Sequence, residues 1–387
     1  MGAVVLMYGR DVILIVILGH ALALSLLKGR CNKTLMFLLL TLMIFSFVGL
    51  FYVGNLLQIA FSLKIVLPLL VGVICYRCVV SNTHRLSRFL LFSLSLAVIG
   101  VYLNYFVAFP WVGLTYTIAG IEIEGGFERT TSGVSRLLGF SRTNFEAATQ
   151  IIILSAYVVV FTKGTLRVCL SWLLAGGAIV LTTTKGIIVT YLLLTVFFLL
   201  FNAARGFRPI YHFFLALPLA AMIILPLSLH ELDIDLSDPI QVTLYASVAD
   251  RIYNGWPAVM NNVTETANIV TGRGVGGTGA GEYYFASEVK GAPDNLFVYL
   301  YSWFGLFSVG MLAFLFWKSL QLDVSRRLDF VIFLWLLSFF TYGIGSAAIE
   351  SAFFALFFGF CIAHLTTTGK WASANDPSPT GQGLGSR

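Results

Sequence analysis

The stretch VCLSWLLAGGAIVLTTTKGIIVTYLLLTVFFLLFN, residues 168–202, contains two apolar runs that are separated only by a short polar turn. The runs Val168–Thr183 and Ile187–Asn202 each come close to the roughly 20 helical residues that cross about 30 Å of hydrocarbon. Apolar runs of this length predict membrane-spanning helices, because a helix satisfies its backbone hydrogen bonds internally. The stretch therefore predicts two antiparallel transmembrane helices joined by the turn TTTKG, residues 182–186.

The same pattern extends along the whole chain of 387 residues, of which 58% are hydrophobic and 11% are charged, with a mean hydropathy of +0.89. This composition indicates a polytopic membrane protein and excludes a soluble nucleotide-binding domain. We predict an all-α integral membrane protein, a bundle of about eleven transmembrane helices with two long extracytoplasmic loops. The predicted spans are Val12–Leu27, Leu35–Phe51, Leu56–Tyr76, Phe89–Phe109, Asn144–Thr162, Val168–Thr183, Ile187–Asn202, Tyr211–Leu229, Asn295–Trp317, Phe330–Gly345 and Ala352–Thr366.

Lysine and arginine residues set the predicted orientation, because they stay on the cytoplasmic side of most spans. If Leu27 faces the cytoplasm, 15 of the 24 basic residues lie in inner connections, 8 lie outside, and Lys64 lies within a span. Only three of the 18 acidic residues then lie inside. This arrangement predicts an outer N-terminus and an inner C-terminus. The net charge of +6 follows from the topology and requires no nucleic-acid partner.

Two outer connections, residues 110–143 and 230–293, are much longer than the others. Long loops in a compact protein are usually functional or disordered, and the aromatic content of these two argues against disorder. Both contain aromatic residues, among them Tyr253 and Trp256, interleaved with polar ones; such a surface suits sugars, although the rings could instead anchor the loops at the membrane interface. We assign residues 1–368 to the membrane domain and residues 369–387 to a flexible cytoplasmic tail.

Basic residues on the outer side are a minority, so they are candidates for binding an anion. Lys185 is the strongest candidate, because it lies in an outer turn of only a few residues between two predicted spans. A cation at the mouth of a helix bundle suits a lipid pyrophosphate. The alternative is a helix-end lysine whose ammonium group reaches the membrane interface. The full outer set is Arg10, Arg129, Arg136, Arg142, Lys185, Arg251, Arg273 and Lys290.

The stretch TGRGVGGTGAGEYY, Thr271–Tyr284, fits the phosphate-binding pattern G-x-G-x-x-G twice. It follows no predicted strand and lies on the side of the membrane without nucleotides, which excludes a dinucleotide site. We expect an outer loop whose backbone and Arg273 approach a lipid pyrophosphate or a glycan, or else a mobile lid without direct contact. The five histidines are scattered without metal-ligand spacing, so we expect neither a metal nor a cofactor.

Lys64 lies in the middle of a predicted span. A lone charge there costs about 2.5–3.5 kcal/mol or more, so a buried partner is expected. Glu146 is the candidate for that partner.

A series of landmarks follows in order between Arg136 and Leu306. They are Arg136-Leu137-Leu138-Gly139-Phe140 with Arg142-Thr143-Asn144, then Thr182-Thr183-Thr184-Lys185-Gly186, then Arg251 with Trp256, then Gly272 to Gly279, and finally Asp294-Asn295 through Trp303-Phe304-Gly305-Leu306. This succession resembles the O-antigen polymerase and ligase superfamily of bacterial membrane glycosyltransferases, the Wzy and WaaL type. The resemblance implies a GT-C-like bundle and metal-independent glycosyl transfer at the periplasmic face of the cell inner membrane.

The resemblance also implies the substrates, the partners and the residues that bind them. Donor and acceptor would be undecaprenyl-pyrophosphate-linked saccharides of lipopolysaccharide or other polysaccharide biosynthesis, held among membrane lipids, with a chain-length regulator protein as a further partner. Tyr253 and Trp256 would bind sugar. The cations that would stabilise the departing pyrophosphate are Arg142, Lys185, Arg251 and Arg273, with Arg136 and Arg129 behind them.

Asp294 takes the place where ligases of this family usually have a histidine, which favours a polymerase. It is the positional candidate for the general base that accepts the proton of the attacking hydroxyl. Asp294 could equally cap the helix that follows it. Glu282, Asp250 and Glu146 are the alternative bases. The alternative functions are a ligase that transfers glycan to a lipid A core and a non-enzymatic flippase. The charged residues gather in the outer loops, which favours a reaction at the membrane surface over transport.

Overall fold

The computed structural model describes residues 2–27, 32–81, 83–118, 121–124, 126, 130–131, 134–204, 208–228, 246–286, 291 and 293–367. The helices are α1 Gly2–Leu27, α2 Lys33–Tyr52, α3 Leu56–Ser81, α4 Thr83–Phe106, α5 Asn144–Phe161, α6 Thr165–Leu181, α7 Lys185–Ala204, α8 Arg208–Ser228, α9 Trp256–Thr266, α10 Ala280–Phe285, α11 Leu296–Phe304, α12 Phe307–Ser319, α13 Arg327–Gly343 and α14 Ala352–Thr367. A π-helix, Arg251–Gly255, precedes α9, and a 3-10 helix, Ala348–Glu350, follows α13.

Two short antiparallel hairpins lie in the first long loop. Strand β1, Thr115–Ile118, pairs with β2, Ile121–Glu124, and β3, Thr130–Thr131, pairs with β4, Val134–Ser135. Several predicted features lie outside the described residues: the tail 369–387, residues 230–245 of the second long loop, and the two cations Arg129 and Lys290.

Five described helices are long and apolar enough to cross a membrane, as expected of a helical membrane protein. They cover Lys33–Tyr52, Leu56–Arg77, Leu86–Phe106, Asn144–Phe161 and Pro209–Ser228. The shorter apolar helices are Thr165–Leu181, Lys185–Leu200, Phe307–Ser319 and Ala352–Thr367. The outer surface of the bundle is apolar, since Val16 exposes 62%, Phe47 62% and Phe92 61% of its surface. Such an exterior suits lipid, because lipid tails are as apolar as these side chains.

Helices α5 and α13 form the buried centre of the bundle. Every residue of α13 from Asp329 to Gly343 is buried, and most of α5 is buried as well. The Trp335 indole of α13 donates a hydrogen bond to the backbone oxygen of Ile153 on α5, at 3.0 Å. A helix that is apolar on all sides is expected at such a position.

Helices α3 and α14 form the most extensive helix pair among the described residues. Two glycines make their close approach possible. A Cβ on Gly72 of α3 would collide with the backbone oxygen of Leu356, and a Cβ on Gly359 of α14 would collide with that of Leu69. Small residues at a crossing let two helix backbones pack in direct contact.

The predicted span Asn295–Trp317 is not one continuous helix. Helix α11 ends at Phe304 and α12 begins at Phe307, because Gly305 has a left-handed φ of 56° that terminates a helix. A Cβ on Gly305 would lie only 2.5 Å from the backbone nitrogen of Gly272. The glycine-rich segment therefore packs directly against this break, which interrupts the predicted span at Gly305.

Lys64 of α3 has a partner in the membrane region. Its Nζ lies 2.7 Å from Oδ2 of Asp11 on α1, and Asp11 is only 7% exposed. Asp11 also accepts hydrogen bonds from the neighbouring Arg10. A buried partner was expected, but naming Glu146 as that partner was wrong, because helix α1 rather than α5 brings a carboxylate to Lys64.

A second buried polar group links three helices at one end of the bundle. The Tyr76 hydroxyl of α3 hydrogen bonds to Nδ1 of His364 on α14, at 2.8 Å, and His364 Nε2 lies 2.7 Å from Oδ1 of Asp329 on α13. The other oxygen of Asp329 accepts the backbone N–H of Asp323, at 2.9 Å. These bonds satisfy polar groups that would be costly to bury unpaired.

Candidate functional site

The turn TTTKG joins α6 to α7, and Asn144 at the start of α5 holds it in place. The Asn144 side chain donates to the backbone oxygen of Thr182 and to the hydroxyl of Thr184, both at 3.1 Å. Thr183 has a left-handed φ of 52°, which is rare for a β-branched residue. Strain of this kind persists only where the surroundings enforce it. The turn therefore fixes the position of Lys185, the first residue of α7.

The segment RLLGF that begins at Arg136 lies against the same turn. The side-chain oxygen of Asn104 on α4 accepts two backbone N–H groups of the segment, at 3.0 and 3.1 Å. The backbone N–H of Leu137 donates to the oxygen of Leu181, the last residue of α6, at 3.4 Å. These bonds bring Arg136 to the start of α7.

Arg251 reaches this place from the second long loop. It begins the π-helix Arg251–Gly255, and single π turns occur frequently at functional sites. The Arg251 Nε donates to Oδ2 of Asp294, at 3.1 Å, and its Nη1 donates to the hydroxyl of Ser247, at 3.0 Å. Two side chains therefore hold the guanidinium group in position.

Arg136, Lys185 and Arg251 form one group of positive charges, which we name the cation cluster. Burial lowers the pKa of the Lys185 ammonium group, and the positive charges of Arg136 and Arg251 lower it further. The three residues come from three separate connections of the chain. Because like charges repel one another, their grouping suits a multiply charged anion such as a pyrophosphate.

Asp294 lies beside the cation cluster and does not cap α11. The N-cap is Asn295, whose side-chain oxygen accepts the backbone N–H of Val298 at 3.0 Å and whose amide donates to the oxygens of Met222 and Ile344, also at 3.0 Å. Asp294 itself has a positive φ of 23°. The expectation that Asp294 caps this helix is therefore wrong, and its carboxylate pairs with Arg251 instead.

Glu350 is a second carboxylate at the site, and the sequence analysis missed it. It ends the 3-10 helix between α13 and α14, and its Oε1 accepts the backbone N–H of Ala280 at 2.7 Å. The pKa of Glu350 is raised to about 7, and burial is the largest cause. The negative charge of Asp294 also raises this pKa, whereas the bond from Ala280 and the Tyr299 hydroxyl lower it. The sequence contained one signal, an acid in the short outer connection 346–351 between two predicted spans.

Several buried polar atoms in or next to these elements have no hydrogen-bond partner among the described residues. They are Asn144 Oδ1, Thr183 Oγ1, Trp256 Nε1 and Thr341 Oγ1. An unsatisfied buried polar atom costs about 1–3 kcal/mol, so a polar ligand or ordered water at these atoms would offset the penalty. The pattern fits a ligand that carries several hydroxyl or phosphate groups.

Arg273 lies within the glycine-rich segment and is bound to that segment. Its Nη1 donates to the backbone oxygen of Gly277 at 2.6 Å and lies 3.4 Å from Oε1 of Glu282, while its backbone N–H donates to the oxygen of Ser302 at 2.7 Å. Only 12% of its side chain is exposed. These contacts give Arg273 a role in fixing the loop, and they also engage Glu282, one of the alternative bases.

The glycines of this segment allow close backbone contacts with α2 and α3. Gly274 has a φ of 80°, and a Cβ there would collide with the backbone of Gly49 on α2. The backbone N–H of Val275 donates to the oxygen of Phe45 at 2.9 Å, and the Gln58 amide of α3 donates to the oxygen of Gly276 at 2.6 Å. The groups that closely approach this segment belong to the chain itself, and its approach to a lipid pyrophosphate or a glycan stays a prediction.

The structure also describes the surroundings of other predicted site residues. Arg142 is partly buried just before α5, and Glu146 lies in the first turn of that helix. Tyr253 on the π-helix is 39% exposed, whereas Trp256 is only 3% exposed and forms part of the core. Asp250 accepts a hydrogen bond from within its own helical turn, at 2.9 Å.

The geometry offers a cation cluster beside two carboxylates, at a place where four connections of the chain meet. Such a site is suited to binding a pyrophosphate and accepting a proton. Comparisons with protein-family models, with curated proteins and with solved structures find no match to this chain.

Proposed function

We propose that this protein is an O-antigen or related polysaccharide polymerase that joins undecaprenyl-pyrophosphate-linked repeat units. In this proposal about eleven helices form a GT-C-like bundle in the bacterial inner membrane, with the site at the periplasmic face. One observation carries it: Arg251 pairs with Asp294 at 3.1 Å, burial and the charges of Arg136 and Arg251 lower the pKa of Lys185, and the charge of Asp294 reaches Glu350. The order of landmarks from Arg136 to Leu306 supports the same reading.

The reaction requires little beyond what this site contains. A lipid pyrophosphate is a good leaving group, so cations that stabilise its developing charge matter more than an acid that protonates it. The acceptor hydroxyl must lose its proton as it attacks the anomeric carbon, and Asp294 and Glu350 are the two candidates for that base. A single displacement inverts the anomeric configuration, and no step requires a metal or another cofactor.

The placement of charge favours an enzyme over a flippase. Transporters commonly hold ionisable groups near the middle of the bilayer, where they bind cargo. Lys64 is the predicted mid-span charge, and its ammonium group is engaged by Asp11 at 2.7 Å. The groups of the candidate site lie instead at the ends of the predicted spans and in the connections between them.

The purified protein can be tested in liposomes that contain single-repeat glycolipid extracted from a strain lacking it. Wild type is expected to convert this glycolipid into a polymer ladder and to release the lipid pyrophosphate. Arg251→Ala and Lys185→Ala each remove one preorganised cation and are expected to lower the rate about 10²–10³-fold.

Two cations at the other end of the bundle provide matched controls. Arg326 pairs with Asp323 at 3.5 Å, and Lys318 lies over the ring of Trp317. Arg326→Ala and Lys318→Ala are expected to keep the wild-type rate. Wild-type rates in both site variants would contradict the role of the cation cluster, and absence of polymer from wild type would contradict the proposed function.

A further inference from the structure

The two carboxylates of the site have different surroundings. Asp294 pairs with Arg251 at 3.1 Å, and 45% of its side chain is exposed. Glu350 has no cationic side chain within pairing distance among the described residues, and its neighbours are the Ala280 N–H, the Tyr299 hydroxyl and the charge of Asp294. Where two carboxylates share a site, a difference in their surroundings lets one of them transfer the proton while the other stays ionised and stabilises charge.

The position of Glu350 is fixed by packing from several elements. Its backbone N–H donates to the oxygen of Ala347 at 2.9 Å, which closes the 3-10 turn. The bond from Ala280 holds the carboxylate at Oε1, and Gly279 must lack a side chain, because a Cβ there would collide with that oxygen. A carboxylate held by such contacts is preorganised for proton transfer.

The two roles differ in what proton uptake would cost. If Asp294 accepted a proton, it would lose its ion pair with Arg251, which the reaction needs in place for the leaving group. If Glu350 accepted a proton, the repulsion between its negative charge and that of Asp294 would be relieved. Proton uptake at Glu350 therefore leaves the ion pair between Arg251 and Asp294 intact.

We propose that Glu350 is the general base of the polymerase and that Asp294 is a positioning residue that holds Arg251 at the leaving pyrophosphate. This inference rests on the proposed function. The acceptor hydroxyl oxygen forms a bond to the anomeric carbon of the donor, and the bond from that carbon to the pyrophosphate oxygen breaks. The electron pair leaves with the lipid pyrophosphate, beside the cation cluster, and the hydroxyl proton moves to Glu350.

The raised pKa of Glu350 gives this role a measurable signature. Its pKa is about 7, so the rate should rise with pH up to about 7 as the base ionises. The charged or titratable groups that act on Glu350 are Asp294 and Tyr299. The helices packed against its turn carry further titratable groups, namely Lys64 of α3, Tyr342 of α13, and Cys361 and His364 of α14. Lys64 is paired with Asp11. His364 is bound to Tyr76 and Asp329 at the other end of the bundle.

The test is the pH dependence of kcat/KM in the liposome reaction. Glu350→Gln keeps an acceptor for the Ala280 N–H but removes the base, so the rate is expected to fall on the order of 10²–10⁴-fold. The residual activity is expected to lose the acidic limb, which is the rise of kcat/KM with pH up to about 7. Glu350→Asp is expected to retain part of the rate with a shifted limb. Asp294→Asn is expected to lower the rate but to keep the limb, moved to lower pH because a negative charge beside Glu350 is gone.

Two results would overturn this assignment. A wild-type rate and limb in Glu350→Gln would do so, as would a limb that disappears in Asp294→Asn but persists in Glu350→Gln. Thermal unfolding of each variant checks its folding, and if Glu350→Gln does not fold, an unchanged rate and limb in Glu350→Asp would be the contradicting result. Failure of wild type to make polymer is a different outcome, since it would refute the proposed function itself.

Discussion

Arg251 shows how single residues prepare this site. Its guanidinium is held by Asp294 and Ser247, so the positive charge needs little rearrangement when an anion arrives. Thr183 and Asp294 are the two non-glycine residues with positive φ in the part of the chain that the structure describes. Thr183 lies two residues before Lys185, and Asp294 pairs with Arg251. Backbone strain of this kind collects at functional sites, where neighbouring contacts maintain it.

Glu350 is expected to make stability depend on pH. Its pKa rises from 4.5 to about 7 in the folded protein, so the folded state binds the proton more tightly than the unfolded state does. Its contribution to stability is therefore fully present below about pH 4.5 and is lost as the pH rises through about 7. We expect Glu350→Gln to lose less thermal stability than wild type between pH 5 and pH 8, measured by thermal unfolding in detergent.

Exposed Glu265 gives the matched control, because Glu265→Gln removes the same kind of charge from the surface. This variant is expected to follow the wild-type pH dependence. An identical pH dependence in wild type and Glu350→Gln would show that Glu350 does not carry the raised pKa.

The sequence identified all three residues of the cation cluster, but its charge pattern could not separate them from the other outer cations. Lys185, Arg136 and Arg251 were selected because basic residues are disfavoured in outer connections. Arg273 met the same criterion, yet it is bound within the glycine-rich segment by Gly277 and Glu282. The positive-inside pattern indicates the face on which a residue lies, and it carries no information on which residues of that face are in contact.

At the level of elements, the pair of α3 and α14 determines where Glu350 lies, because its 3-10 turn leads into α14. We expect Gly359→Val to lower the free energy of unfolding by about 1–3 kcal/mol, since the new side chain would collide with the backbone of Leu69. Gly310→Val in α12 is the control, because a Cβ there meets no atom within 4 Å. Melting temperatures in detergent compare the two, and equal values would contradict the close packing of α3 on α14.

The elements themselves were predictable to the extent that local sequence determines them. Apolar runs predicted the helices, because hydrophobic length alone specifies a span. The break between α11 and α12 was not predictable, because Gly305 meets Gly272 only in the folded chain. The hairpins β1–β2 and β3–β4 are short and lie in a loop where no long apolar run marks them.

At the scale of the whole molecule, the connections assigned to one face by their charges meet at one end of the bundle. Asn144 binds the TTTKG turn, Arg251 binds Asp294, and Ala280 binds Glu350. Tyr76, Asp329 and His364 join at the other end. The charge pattern thus anticipated which helix ends lie together, because alternating spans place every second connection on the same side.

The glycolipid profile of a strain that lacks this protein tests the central claim most directly. A polymerase joins repeat units, so its loss should abolish the ladder of polymer lengths while single repeat units still reach the cell surface. The wild-type gene should restore the ladder, and the Arg251→Ala variant should not. Accumulation of free lipid-linked polymer would contradict this account in favour of a ligase, and single units trapped at the cytoplasmic face would contradict it in favour of a flippase.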